Sequence, residues 1–231
     1  MTLTHRLSAL ALCLLAVNLN AAEKRALTDV DSGILTRELQ HSDDDGIVVA
    51  WWLPSEFWAV ALANQKTLTA VQIEEFMKIL RQYTLIAVVD GEVGGAAIDF
   101  QERDAVAKSL TVELVDGTGK SRKVVPVESV PEDLKPLFTI LVPAMGAAMG
   151  NLGRNLHFFV FLDQVGDSRL FSPYEPGAVV VKLSGRARRP DVSLTIERPL
   201  DSLLVPRLCA NGKPAHVSWN YCPWDGEKLP Q

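Results

Sequence analysis

The sequence predicts an α+β fold. A mixed, largely antiparallel sheet covered by helices spans residues 27–200, and a small disulfide-closed tail occupies 201–231. Three observations carry this. Residues 47–53 form a continuous apolar run of strand length, and Pro54 ends it where an aromatic helix starts, the pattern of a buried strand feeding a helix. Residues 73–80 place Ile73, Phe76, Met77 and Leu80 at helical spacing. Residues 109–115 and 191–197 alternate apolar and polar side chains, so each keeps one wet face, as antiparallel strands do.

The chain opens on a targeting pattern. Arg6 precedes an apolar run over residues 7–17, too short for a bilayer, which needs about 20 residues. Small residues follow, and cleavage is expected after Ala22, making residues 1–22 a signal peptide and the protein periplasmic or secreted. Cys13 lies inside the apolar run behind Leu12, which argues against a lipidated cysteine. The formal charge is −5, and loss of Arg6 makes the remainder slightly more acidic. That balance argues against nucleic acid as a partner and against a polybasic membrane site. Cys209 and Cys222 then remain as an even pair in an exported chain, which reads as a disulfide.

Ile34, Leu35 and Leu39 suggest one short amphipathic turn. Residues 41–46 are acidic, but their spacing is not that of a calcium loop and no glutamate closes it. Thr69 with Gln72 forms a capping-box pattern before the amphipathic helix, which is expected to run to about Tyr83 and to bury Phe76 and Leu80 against a sheet holding Val49 and Val88. Residues 84–89 read as a second buried strand closed by an Asp90–Gly91 turn, with a short strand to Phe100 and a short helix over 101–108. Gly94 and Gly95 lack the spacing of a phosphate-binding loop.

Residues 109–115 return through a turn at 116–119 to 123–127, giving a β-hairpin whose second strand Pro126 demotes to an edge. Ser129 and Glu132 form another capping-box pattern, ahead of a helical stripe interrupted by Pro136 and Pro143. No residue between Lys135 and Arg154 is charged. With a proline and glycines inside it, the stretch reads as a buried, kinked or divided helix rather than a membrane span. Residues 156–162 and 177–183 are further buried strands, and residues 186–190 form a basic turn.

No nucleophile elbow, zinc-protease helix or other catalytic motif is present, and no motif calls for a cofactor. Glu56 and His157 are the catalytic candidates, a carboxylate at a helix start and an imidazole in an apolar strand. Trp51, Trp52 and Trp58 are candidate binding residues for a sugar. Trp51 and Trp52 point to opposite faces of a strand, so core packing is the favoured reading.

From Leu208 the tail holds Cys209 and Gly212, then Tyr221, Cys222, Asp225 and Gly226. This resembles the zinc ribbon that ends many bacterial proteins, in which two Cys-x-x-Cys-Gly knuckles bracket a hairpin with an aromatic residue before the second. The chain departs from that pattern where Gly212 and Asp225 replace the second cysteine of each knuckle. The resemblance implies either a covalent staple between Cys209 and Cys222 or a metal held by Cys209, His216, Cys222 and Asp225. Trp219 and Trp224 are expected to pack on the staple. The function expected is a non-enzymatic one, binding an envelope protein or a cell-wall component, with a hydrolase built on His157 and a carboxylate as the alternative.

Overall fold

A computed structural model of the chain describes residues 22–44, 47–63, 68–95, 97–186 and 188–230. Residues 1–21 of the expected signal segment, and Asp45 and Gly46 of the acidic turn, lie outside these. Helix α1 (Ser32–Leu39) is capped by Asp31, whose side chain accepts from the Ile34 amide, and it buries Leu35 and Leu39. It is longer than the single turn expected. The short strand β1 (Gln40–Ser42) follows, then β2 (Val49–Leu53). Between them the Asp43 carboxylate accepts from the Ile47 and Val48 amides at 2.9 and 3.0 Å, which sets the turn.

Pro54 leads into α2 (Ser55–Ala63), and α3 (Ala70–Leu80) starts on the capping box of Thr69 and Gln72. Met77 and Leu80 are fully buried on α3, whereas Phe76 is only half-buried, so the inward face is rotated toward Met77. Strand β3 (Tyr83–Val89) does not end in a tight turn as expected. Asp90 is buried, and β4 (Gly91–Gly94) and β5 (Ala97–Phe100) form a hairpin beyond it. The close approach of Ile47 requires glycine at 91, because a Cβ there would lie 2.2 Å from the Ile47 Cγ2.

Helix α4 (Arg103–Ser109) and the hairpin of β6 (Leu110–Asp116) and β7 (Ser121–Val124) follow, with β7 starting earlier than expected and ending before Pro126, which cannot donate to the ladder. The Asp116 carboxylate holds the hairpin turn by accepting from the Thr118 and Lys120 amides. Helix α5 (Lys135–Ala148) runs through Pro143 as one element. Its N-cap is Leu134, with no side-chain cap, so the Ser129–Glu132 capping box does not form; Glu132 pairs with Lys135 instead. Nor is the helix buried all round. Leu137 and Met145 face inward while Ile140 is exposed. Gly153 packs its backbone against Gly146, where a Cβ would meet the Gly146 carbonyl oxygen at 1.7 Å. No helix among the described residues is long and apolar enough to cross a membrane.

Strands β8 (His157–Leu162), β9 (Gln164–Val165), β10 (Ser168–Arg169), β11 (Gly177–Leu183) and β12 (Val192–Arg198) complete the main body. The tail carries the short pair β13 (Arg207–Leu208) and β14 (Pro214–Ala215). Every pairing among the described strands is antiparallel. The chain is thus an α+β protein with antiparallel sheets. Eight of the strands form two four-stranded sheets, ordered β1-β2-β3-β8 and β12-β11-β6-β7, and β4-β5, β9-β10 and β13-β14 are separate two-stranded pairs. The two central strands of the first sheet, β2 and β3, are buried at every position, because both faces are covered. On β12, Leu194 and Ile196 face the core while Ser193, Thr195 and Glu197 face water.

One continuous apolar cluster includes side chains of both sheets, among them Trp52, Ile86 and Phe161 of the first and Val179, Val181 and Ile196 of the second. The tail has a separate small core of Cys209, Ala215, Cys222 and Leu229. Its root is tied to the N-terminal segment. Lys24 bridges Leu204, and the Val205 amide donates to the Glu23 carbonyl at 2.8 Å.

Candidate functional site

Glu56 opens α2, just past the Leu53 end of β2, and its side chain is turned inward. Arg169 meets it in a fork. Nη1 lies 2.6 Å from Oε1 and Nη2 lies 2.8 Å from Oε2. Arg169 Nε donates to Asp163 Oδ2 at 2.7 Å, and the other Asp163 oxygen accepts from the Phe171 amide at 2.7 Å. Asp163 is fully buried and Glu56 nearly so, and the one guanidinium they share is partly buried, its side chain 26% exposed. Burial acts to lower the Arg169 pKa, but hydrogen bonds and charge from Glu56 and Asp163 outweigh it, and the guanidinium is held more firmly charged than usual. Beside them the Tyr174 hydroxyl is pushed up to about 12, by burial first and then by the Glu56 charge.

His157 is at the other end of the sheet. It stands opposite Val88, whereas Leu53, on the Glu56 side, aligns with Leu85 and Val160. Asp163, Arg169 and Glu56 gather past the Leu162 end of β8, and a strand of 6 residues at about 3.3 Å each puts roughly 20 Å between the two ends. The His157 Nε2 sits 2.8 Å from the Gln101 carbonyl oxygen, so that nitrogen carries the proton and donates. The two catalytic candidates are therefore not brought together. Glu56 is an ion-pair partner and His157 a strand-end hydrogen-bond donor.

The three candidate tryptophans take the core-packing role that the sequence favours. Trp51, Trp52 and Trp58 are all buried, so none forms a sugar-stacking surface. Trp52 Nε1 donates to Thr84 Oγ1 at 2.8 Å, and Phe57 packs edge-on against both Trp51 and Trp58.

The basic turn is likewise occupied. Arg186 Nη2 lies 2.9 Å and Arg189 Nη2 lies 3.4 Å from the Asp90 carboxylate. This clamp joins the far end of β3 to the loop between β11 and β12, tying one sheet to the other. Burial raises the Asp90 pKa, opposed by the charges of Arg189 and Arg186. Sequence reasoning misses both clamps, since the partners are distant in the chain and no spacing marks them.

In the tail, Cys209 and Cys222 are joined as a disulfide with a Cα separation of 5.7 Å, within the range such bonds require. The Asp225 carboxylate lies with the two sulfurs inside 4.8 Å. His216 is not part of this group; its Nδ1 lies 2.7 Å from the Ser218 hydroxyl. A structural zinc wants four ligands, and the residues gathered here offer three, two of them sulfurs joined to each other. Trp219 and Trp224, expected to pack on the staple, are about half exposed. They meet edge to face at 6.4 Å between ring centres and remain 42% and 49% exposed, with Tyr221 at 61%. Lys213 reaches over the Trp224 ring, and His216 tilts against Trp219.

A cleft of about 320 Å³ opens near the Glu56 cluster, between the β6–β7 hairpin and the ends of β10 and β12. Arg198 is part of its wall and is nine-tenths buried. Burial lowers the Arg198 pKa, partly offset by Glu175 and Asp163.

Comparison with known proteins leaves the chain on its own: no family model matches it, and no curated protein or solved structure gives a significant match.

Proposed function

We propose that the chain is an exported, non-enzymatic binding protein that docks a protein of the cell envelope through the aromatic face of its tail. The observation that carries this is the exposure of Trp219, Trp224 and Tyr221 on a segment closed by a disulfide. Three other tryptophans are buried, so the exposed pair is not a shortage of core volume. Large aromatic rings held rigidly at a surface lose little conformational freedom on binding and dominate the energetics of protein interfaces. The staple and the Lys213 and His216 contacts hold these rings in place before a partner arrives. Export is supported by the Arg6 and residue 7–17 pattern and agrees with an oxidised cysteine pair. The groups that would carry hydrolysis are engaged elsewhere, Glu56 with Arg169 and His157 with the Gln101 carbonyl.

The test uses the immobilised protein and a Trp219→Ala/Trp224→Ala variant, each offered solubilised envelope proteins and, separately, purified cell-wall material. Retention of a discrete envelope protein by the wild type, lost in the variant at an unchanged melting temperature, is the expected result. Retention of cell-wall material alone would replace the protein partner with a glycan. Equal retention by both forms would overturn the role of the tail.

A further inference from the structure

We propose that the cleft walled by Arg198, Arg122 and Lys120 is a binding site for a small molecule bearing an oxyanion, a carboxylate or phosphate group. It is separate from the aromatic tail and independent of the reading given for it. Arg198 ends β12 and is 9% exposed, yet no carboxylate comes within ion-pair distance of it among the described residues. Its Nη1 donates to the Ser172 carbonyl at 2.9 Å and its Nη2 to the Val115 carbonyl at 3.0 Å, while Nε is buried without a partner. A guanidinium has five N–H donors; the charges of Glu175 and Asp163 reach this one only from beyond ion-pair distance, its hydrogen-bond partners are neutral carbonyls, and a buried cation so placed is costly unless an anion completes it.

The backbone is shaped to admit this side chain. Gly177 has φ +141°, and a Cβ there would lie 2.1 Å from the Val115 carbonyl oxygen and 2.9 Å from Arg198 Nη2. Any side chain at 177 would thus collide with the guanidinium where it meets the strand. Arg122 and Lys120 border the same cleft and are exposed, and neither side chain makes an ion pair among the described residues. Of the acids beside the cleft, Asp116 is engaged in its own hairpin turn through Oδ1, and Glu175 is exposed, where solvent and salt screen it. Arg169 contributes wall rather than free charge, since Glu56 and Asp163 already neutralise it. The volume, about 320 Å³, is that of a small-ligand pocket. An oxyanion seated here would accept from Arg198 at the base and from Arg122 and Lys120 at the rim, as charge-assisted hydrogen bonds require.

The probes are inorganic phosphate and succinate, titrated at constant ionic strength against chloride and followed by the amide resonances of Leu114, Arg122 and Leu170. Saturable shifts with one or both probes, at a Kd on the order of 1 mM, are expected. In the Lys120→Ala/Arg122→Ala variant the affinity should fall about tenfold or more, while the melting temperature without ligand stays unchanged, because neither side chain holds the fold. Response to phosphate alone assigns a phosphate ligand and response to succinate alone a carboxylate; each upholds the site. No saturable shift with either probe, or equal affinity in the variant, would overturn it.

Discussion

Replacing Arg169 with Met tests whether the Glu56 cluster is structural or chemical. Methionine keeps an unbranched apolar stem and removes the charge, so the perturbation is chiefly electrostatic. In the wild type the guanidinium contacts Glu56 at 2.6 Å and Asp163 at 2.7 Å, with the two carboxylates 9% and 0% exposed. A unit charge pair about 4 Å apart attracts by about 4 kcal/mol at an effective dielectric near 20. Removing one member of a buried pair typically costs about 3–5 kcal/mol. Here one cation serves two buried anions, so Arg169→Met should cost about 4–5 kcal/mol, a large fraction of the total stability of a typical domain. Glu56→Gln alone should cost about 1–2 kcal/mol, because the amide oxygen still accepts from Arg169. In the double variant one of the two stranded charges is gone, so the losses should fall short of their sum by about 2 kcal/mol. Urea unfolding followed by the fluorescence of the buried Trp51, Trp52 and Trp58 reads these values directly. A loss below about 1 kcal/mol for Arg169→Met, additive with Glu56→Gln, would refute the reasoning. It would mean that Glu56 does not depend on its arginine, and the hydrolase alternative would regain its base.

The remaining predictions concern the tail and pH. Thiol titration of the denatured, unreduced protein recovered from an oxidising compartment should find neither Cys209 nor Cys222 free, and reduction should destabilise the tail by about 3 kcal/mol in the chain-entropy model; hydrogen exchange should then rise around Ala215 and Leu229 and leave β2 and β3 protected. Free thiols accompanied by bound zinc would restore the ribbon. Carboxyl NMR titration should place Glu113 and Asp116 below their usual range, through the hydrogen bonds of Lys182 and Ser121 to one and of Thr118 and Lys120 to the other, and Asp90 above it, through burial. The signs are opposite: the Glu113 and Asp116 contributions to stability are present at neutral pH and lost as pH falls through their folded pKa values, whereas the Asp90 contribution is present in acid and lost as pH rises through its own.

The features legible in the sequence were those with local causes. The unbroken apolar runs of β2 and β3 announce strands covered on both faces, and the Thr69–Gln72 pair announces the start of α3. The β6–β7 hairpin is encoded by alternation and a turn whose aspartate folds back on its own amides. Strand β1 escaped because Gln40–Ser42 has no apolar signal; its pairing to β2 is set by the Asp43 turn. The division into two sheets is likewise invisible to periodicity, which reports a strand's faces and not its neighbours. The polar sites were hidden for the same reason. Arg169 stands 113 residues from Glu56, and Arg186 and Arg189 read only as a basic turn until Asp90 is placed beside them. In the tail, the cysteine pair is readable from its even count in a chain expected to be exported, but no spacing marks Trp219 and Trp224 as exposed.

The order in which the strands leave the chain has a consequence for assembly. The first sheet takes β1, β2 and β3 from early residues and its last strand, β8, from His157–Leu162; the second takes β6 and β7 before that point and β11 and β12 after it. The two sheets are interleaved along the polypeptide, so no cut yields one intact sheet without breaking the other. Until β8 arrives, β3 carries an unpaired edge, and an exposed edge of buried-type residues recruits other chains. Pairing across such long separations is slow because the loop must be closed before any contact repays it. An emerging chain of this design is safest held unfolded until nearly all of it is available, and it should tolerate a late-acting chaperone better than truncation.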